Sequence, residues 1–494
     1  MFPGVQQPLA IGLFVRRADA DQTVPAVIHH AAVRGQQREK FAALTGLRLD
    51  GPGWRDCRPA WRAPFTPAAD TEWDTYPALN DLFPWTAPGV KANRTWVYDP
   101  SPAVLVSRWN RLVGETDHAV KAQLFKETRD AGVDRAREPL PGPDGYFFAG
   151  PFAKEAAVAP RAVRIGYRSF DRQWVIPDSR VIDYPRPDLW SARVSGQVFV
   201  SELHSSSLGS GPGCTFSGLI PDNDYFKGSA GGRVLPMLHA DGSANSATRL
   251  REVMAVVLGG DEIDALDVVA YVAAVVAHPA FTATFSDELT TPGVRVPLTG
   301  DLELWARAVD LGRTVVWLHT YGAVAADIAA ARPPDVVRYP TGDTRQPRSL
   351  TPIRVMPTAM AYTADPYYPA VGEIRIGDGR FGPVARRVWE HHVGGRNVLG
   401  LWFGYRRADP AGRRSSPLDD MTTTVWPADW TREFIDLLTV LTRLAELETA
   451  QADLLADVLA GPLLAMEALA TQGVHWPTVP KDRRPRRAFT LPPT

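Results

Sequence analysis

Tyr167–Trp190 reads YRSFDRQWVIPDSRVIDYPRPDLW, and from Val163 onward apolar and polar residues alternate in part over VRIGYRSFDRQWVI. Period-two alternation marks a half-buried strand, whose successive side chains point to opposite faces. The sequence around this stretch supplies both strands and helices for it to pack against. Ser107–Arg135 carries Leu112, Val113, Val120, Leu124 and Phe125 at helical spacing. Glu252–Ala277 and Leu302–Gly312 read as helices, the first ended by His278-Pro279 and the second by Gly312 at a C-cap-like position. IRVMPTAMAY and GEIRIGDGRFGPV read as strands joined through a glycine turn, and Trp430–Leu447 and Ala450–Gln472 as helices. Near the start, PLAIGLFV (Pro8–Val15) and AVIHHAAV (Ala26–Val33) read as two buried strands that need partners from elsewhere. The expected fold class is α/β, of the mixed α+β kind, with a helical C-terminal region.

The chain has 494 residues, 45% hydrophobic and 22% charged, with 15 tryptophans that need a real core or interface to hide in. Its net charge of −1 is lower than a dedicated, non-specific nucleic-acid coat usually carries and argues mildly against DNA binding, leaving local arginine clusters as the electrostatic feature. Cys57 and Cys214 lie far apart with no CxxC pair, which argues against a disulfide framework or a zinc site and for a reducing cytoplasm. No stretch approaches the ~20 apolar residues that span a bilayer. Four regions are expected: 1–70, 71–325, 326–478 and a basic, disordered tail over 479–494. Two glycine-rich stretches, Ser205–Gly213 and Asp222–Gly232, read as loops.

The sequence contains no GxGxxG after a strand, no GxxxxGK[ST], no HExxH and no GxSxG. The pairs His29-His30 and His391-His392 are poor chelators, because neighbouring strand residues face opposite ways. Asp222, Asp224, Asp419 and Asp420 read as solvated turn residues. The (N/D)PP(Y/F) loop with which adenine amino-methyltransferases grip a flipped base is missing, as is their glycine-rich cofactor loop. No catalytic residue and no metal ligand is assigned.

Six blocks in order resemble the C-terminal half of the type ISP restriction–modification enzymes and related adenine methyltransferases. Gln6–Arg17 is similar to a late strand of the methyltransferase sheet, Ala31–Phe41 to the family's xLxGxxxEK segment, and Leu79–Trp96 to its lFxxxxxGvkTxRD block. In that third block Ala92-Asn93-Arg94-Thr95 stands for Thr-x-Arg-Asp. Tyr167–Trp190 resembles YRPFDxRwxYxDxxxxxRPRPxlw, with Ser169 in place of proline. Val294–His319 and Val388–Arg406 carry the last two blocks. The resemblance implies a remnant of a methyltransferase sheet over 1–70, followed by a target recognition domain that reads double-stranded DNA. It also implies that the chain starts after the point where the S-adenosylmethionine-binding and catalytic motifs lie, with the cofactor bound by a separate methyltransferase half. Two other readings stay open: a fragment of an active adenine-N6 methyltransferase, and a non-binding remnant of a decayed defence system.

Candidate DNA contacts follow from side-chain chemistry. Arg168, Arg172, Gln173 and Arg180 have the donors that read guanine and adenine edges, although Arg168 and Asp171 could instead clamp each other across a turn. Residues shared by enzymes with different targets cannot read bases, so readers belong in the variable loops, where Asn223, Lys227 and Arg233 lie. Lys91 and Arg94 beside Pro88-Gly89 suit a phosphate clamp. Arg396, Arg406 and Arg407 either line a DNA channel or face solvent, and Lys481, Arg483, Arg484, Arg486 and Arg487 add a basic cluster in the tail.

Overall fold

Ala265–Val276 reads ALDVVAYVAAVV and has no charge after Asp267, so a helix formed from it can be buried on every side. The structure is a computed structural model that describes residues 11–487 apart from 22, 34–36, 58, 60–64, 66, 68–71, 143, 227, 229–230, 325–336 and 411–413, and not the side chains of 37–39. In it Val268 through Val276 are all buried, and the Asp264 carboxylate caps the helix by accepting from the Asp267 N–H at 2.7 Å. Leu302–His319 packs alongside so closely that a Cβ on Gly312 would stand 1.7 Å from the Ala270 carbonyl oxygen. Gly312 is therefore not the stop its sequence position suggested; the helix runs through it to His319, and the missing side chain is what lets two backbones meet. Ala428–Ala460, 33 residues and about 50 Å long at 1.5 Å per residue, completes the layer. From it the buried Gln451 amide donates to the carbonyls of Ala273 and Ala274 at 3.1 and 3.3 Å.

Several helix boundaries differ from the sequence reading. The expected helix over Ser107–Arg135 is two, Pro102–Val113 and His118–Phe125, because Asp117 caps a new start and Lys126, left-handed at φ 63°, ends it. Glu252–Ala277 divides into Leu250–Leu258 and Ala265–Val276, since left-handed Gly259 closes the first. The two C-terminal helices merge into Ala428–Ala460, with only the short Met466–Thr471 after it, because no breaker lies between them.

Every ladder between named strands in this unit is antiparallel. One three-stranded sheet has the order Tyr98–Asp99, Asp171–Val175, Val163–Arg168, and a four-stranded sheet has the order Ala87–Pro88, Arg233–Pro236, Phe199–Glu202, Thr215–Ser217. A second four-stranded sheet runs Arg348–Thr351, Gly379–Ala385, Val371–Ile376, Met360–Ala364. One hydrophobic cluster gathers Trp85, Trp96, Trp109 and Trp190; the larger one joins the helical layer to both four-stranded sheets. The basic tail, expected to be disordered, is fastened as far as Arg487: Arg483 lies 3.1 Å from Asp81, the Arg486 N–H donates to His239 Nδ1 at 3.1 Å, and Arg487 lies 3.4 Å from Asp188. Two of its guanidiniums, those of Arg483 and Arg487, reach carboxylates, while Lys481, Arg484, Arg486 and Arg487 stay exposed; residues 488–494 lie outside the described residues.

Chain contacts divide residues 1–71 from 72–494. In the first unit the described residues form the helix Gln37–Gly46 and one antiparallel pair, His29–His30 with Arg55–Asp56. Of the expected strand Pro8–Val15, residues 8–10 lie outside the described set. Residues 11–15 form no strand, and Ile11, Leu13, Phe14 and Val15 are 78–90% exposed. A strand needs a partner for its backbone groups, and none of the described residues offers one. No helix among the described residues is long and apolar enough to cross a membrane.

Two outcomes follow. Replacing Gly312 with Ala should destabilise the fold by about 1–3 kcal/mol through overpacking, despite alanine's better helix propensity. Gly46→Ala, with open space around it, should be neutral or slightly stabilising in the same denaturant titration. An unchanged midpoint for Gly312→Ala would mean the helices are farther apart than described. Separately, burial pushes His239, His278 and His391 down to about 4 and His319 to about 3. Unfolded, these rings titrate near 6.5, so below that pH the unfolded chain binds protons that the folded one refuses. Asp99, raised to about 6 by burial, works the opposite way, as do Asp178, Asp222 and Glu448, whose carboxyls burial also raises; these offset part of the histidine effect. Stability should fall between pH 7 and pH 5, by up to about 2 kcal/mol per ring; a flat or rising urea midpoint would contradict the burial of these rings.

Candidate nucleic-acid interface

Four arginines of the sequence-derived set are interior. Arg94 is 1% exposed and lies 2.5 Å from Asp183; it also donates to the carbonyls of Phe125, Val181 and Ala131 at 3.0–3.2 Å. Arg180 grips the buried Asp178 through Nε and Nη2, bonds Glu155 at 2.7 Å and lies 3.9 Å over the Phe148 ring. Arg168 donates to Asp222 at 2.7 Å, and Arg406 lies 2.8 Å from Asp171. Gln173 is buried and donates to Asp171 at 2.9 Å. Interior cations that already hold carboxylates have no surface to offer a phosphate or a base edge. The expectation of DNA contact at Arg94, Arg168, Gln173, Arg180 and Arg406 therefore gives way to an architectural role. Arg168 and Asp171 do not clamp each other; each reaches a different carboxylate or guanidinium across the fold. Asp222 and Asp419, read from sequence as solvated, are buried; Asp419 accepts from Thr95 Oγ1 at 2.8 Å and from the N–H groups of Ser415 and Ser416.

The remaining candidates meet where three chain segments converge. Val90 N–H donates to the Pro221 carbonyl and Asn223 N–H to the Val90 carbonyl, while Lys91 and Tyr184 exchange both backbone bonds at 2.9–3.1 Å. Gly89 makes this possible, since a Cβ there would lie 2.4 Å from the Asp222 carbonyl oxygen. The loop after Asp222 turns through left-handed Gly228 and Gly231, and the Asp224 carboxylate holds it by accepting from Gly231 N–H at 3.3 Å. Around this crossing stand Lys91, half-buried with no carboxylate partner among the described residues, and Asn223, whose amide makes one long bond to Asp224 at 3.3 Å. Arg233 closes the loop, its fork occupied by the buried Glu202 carboxylate. Lys227 lies outside the described residues.

Arg186, which sequence reasoning passed over, completes the cluster. It sits left-handed at φ 57° between Pro185 and Pro187. Among the described residues its guanidinium makes one hydrogen bond, a 3.4 Å contact to the Gly89 carbonyl, and lies 5.2 Å from the Tyr184 ring; burial lowers its pKa, and no carboxylate among the described residues pairs with it. The signal that could have found it is an arginine pinned between two prolines inside the quoted stretch. Arg172 is half-buried on another face, 3.7 Å over the Tyr321 ring. Arg396 is exposed on the small hairpin whose turn is Gly394-Gly395. The hairpin adjoins the loop Ser205–Gly213: a Cβ on Gly211 would lie 2.6 Å from the His392 carbonyl oxygen. Arg407 bonds the Asp409 carbonyl nearby in sequence.

No cluster of three metal-ligating side chains occurs among the described residues. The cavities beside Phe170 and beside Arg172 measure about 10 and 20 Å3. A water fits such a space.

No curated protein sequence matches this chain. Residues 81–437 match the model of the Type ISP C-terminal specificity domain. Among solved structures it is similar to DrdV in complex with DNA (TM-score 0.58, 16% identity, 84% of this chain and 42% of that one). It is similar to the ATP-dependent Type ISP restriction-modification enzyme LlaBIII bound to DNA (TM-score 0.55, 13% identity, 89% and 28%). A nuclease-deletion mutant of the Type ISP enzyme LlaGI with a DNA substrate mimic gives a TM-score of 0.51 at 14% identity over 85% and 32%. The chain spans less than half the length of each of these structures. They share its mixed α/β fold, and with a family match over well more than half of its length, this chain belongs to the Type ISP C-terminal specificity domain family.

Proposed function

We propose that this chain reads duplex DNA as the specificity component of a restriction–modification system, with methyl transfer supplied by a methyltransferase half that binds S-adenosylmethionine. The observation that carries the reading is the Arg186 guanidinium, with no carboxylate partner among the described residues, beside Lys91 and Asn223 at a backbone crossing built by Gly89. A half-buried cation with no anion is costly until a phosphate or a base edge reaches it. Lys91 and Arg186 are assigned to phosphate, and Asn223, whose amide can bond adenine bidentately, to base reading together with the adjoining loop that holds Lys227. Arg233 holds that loop in shape. The exposed apolar stretch Ile11–Val15 supports a partner surface for the methyltransferase half.

Binding should be measured on a duplex selected by the chain from a random library and on a scrambled duplex. Lys91→Ala and Arg186→Ala should weaken both alike and reduce the salt slope by about one each. Asn223→Ala should narrow the difference between the two duplexes by about 1–3 kcal/mol. A parent chain with no preference at any salt concentration would end the specificity reading. For the cofactor, calorimetry of the chain alone with S-adenosylmethionine should give no binding heat, and micromolar affinity would place the cofactor site in this chain after all.

A further inference from the structure

The four-stranded sheet over residues 348–385 has one face in the core and one open. Tyr362, Ile374, Ile376, Phe381 and Val384 face inward and pack on the larger hydrophobic cluster. By alternation the open face presents Arg348, Leu350, Ala361, Thr363, Glu373, Arg375 and Arg380. The register sets Arg375 directly opposite Arg380, with Ala361 and Thr351 continuing the row on either side. Arg348 pairs with Gly382 one step along, on the same face as Arg380.

Like charges directly opposite across strands, about 5 Å apart at Cα, destabilise a sheet. Glu373 relieves half of this pair: both its oxygens bond the Arg380 guanidinium, at 2.6–2.8 Å. Arg375 and Arg348 are exposed and have no carboxylate partner among the described residues. Glu373 is the only carboxylate on this face among the described residues. Asp365 and Asp378 sit at the hairpin ends, engaged by backbone N–H groups of Tyr367, Tyr368 and Arg354. Between the arginines stand Ala361, Thr363 and Gly382, which leave the surface low. Tyr367 and Tyr368, 86% and 73% exposed, add hydroxyl donors at one end.

We infer that this open sheet face is a second DNA surface, one that grips phosphates without reading sequence. It rests on the proposal that the chain binds duplex DNA, but uses none of the residues at the Gly89 crossing. Duplex DNA, with one charge per about 1.7 Å of axis, is the polyanion dense enough to offset paired guanidiniums on a flat strip. Tyrosine hydroxyls and arginines are the groups that commonly meet phosphate oxygens.

The test uses the 494-residue chain with Arg348→Ala and Arg375→Ala combined, on the selected and the scrambled duplex, from about 50 to 200 mM salt. Both duplexes should lose affinity alike, and the salt slope should shrink by about 1.8, so that the parent's fall in affinity over this range exceeds the variant's by about tenfold. The double lysine variant should keep most of the slope, and both variants should melt like the parent because the positions are exposed. If the alanine variant keeps the parent's slope while Lys91→Ala reduces it, this face does not touch DNA and the recognition reading stands. A loss confined to the selected duplex would assign base reading to the face and overturn the inference. A parent that holds no duplex at about 50 mM salt would remove both proposals together.

Discussion

Arg406 and Asp171 meet in the interior, 2.8 Å apart and each about 1% exposed or less, and join parts of the chain 235 positions apart. Arg406 belongs to the C-terminal region and Asp171 to the strand at the turn of the central hairpin. The guanidinium lies 4.0 Å over the Trp402 ring, donates to the Trp402 carbonyl at 3.0 Å, and has Glu433 of the long helix 3.6 Å away. A buried charge is tolerable only when paired and hydrogen-bonded, and removing one partner costs about 3–5 kcal/mol. This pair therefore fixes where the hairpin sits against the helical layer. A hydrophobic pair of the same volume could match its stability but would tolerate many more alignments, whereas opposite charges in an apolar interior accept one.

The same device recurs. Arg94 ties the segment after the Gly89 crossing to Asp183, Arg168 ties the hairpin to Asp222, and Arg180 ties Asp178 to Glu155. Asp183 and Asp222 lie next to residues that shape the candidate interface: Tyr184 pairs with Lys91, and Asn223 follows Asp222 directly. Interior ion pairs thus hold the backbone from which the half-exposed Lys91, Asn223 and Arg186 project. A surface that discriminated base pairs would need such rigidity, because a misplacement of about 1 Å breaks a hydrogen bond whose useful range is only 2.7–3.2 Å.

Arginines divide into two populations by their company. Those paired to interior carboxylates, Arg94, Arg168, Arg180 and Arg406, hold the fold together. Of those with no carboxylate partner among the described residues, Arg186 at the crossing and Arg348 and Arg375 on the open sheet have an electrostatic demand that a polyanion would satisfy. A net charge of −1 conceals this, since the carboxylates that balance the total are largely consumed by interior and local pairs.

The sequence by itself determined the mixed fold class, the β character of VRIGYRSFDRQWVI and of GEIRIGDGRFGPV, and the Gly394-Gly395 turn. Each is encoded by local periodicity or by glycine's freedom at positive φ, which neighbouring residues alone impose. The ordered blocks from Leu79 to Arg406 also carried the family, because enough side-chain identities survive in them to be read without coordinates. Only the tertiary structure decided which arginines are buried. Arg94 and Lys91 lie three residues apart and look alike in sequence, yet one is enclosed by Asp183 and four carbonyls while the other stays half-open. Gly312 illustrates the same limit: its role as a contact point depends on Ala270, 42 residues earlier, and not on anything in its own helix. Burial and ion pairing depend on residues distant in the chain, so a local pattern fixes what a residue can do, and packing fixes which of those things it does.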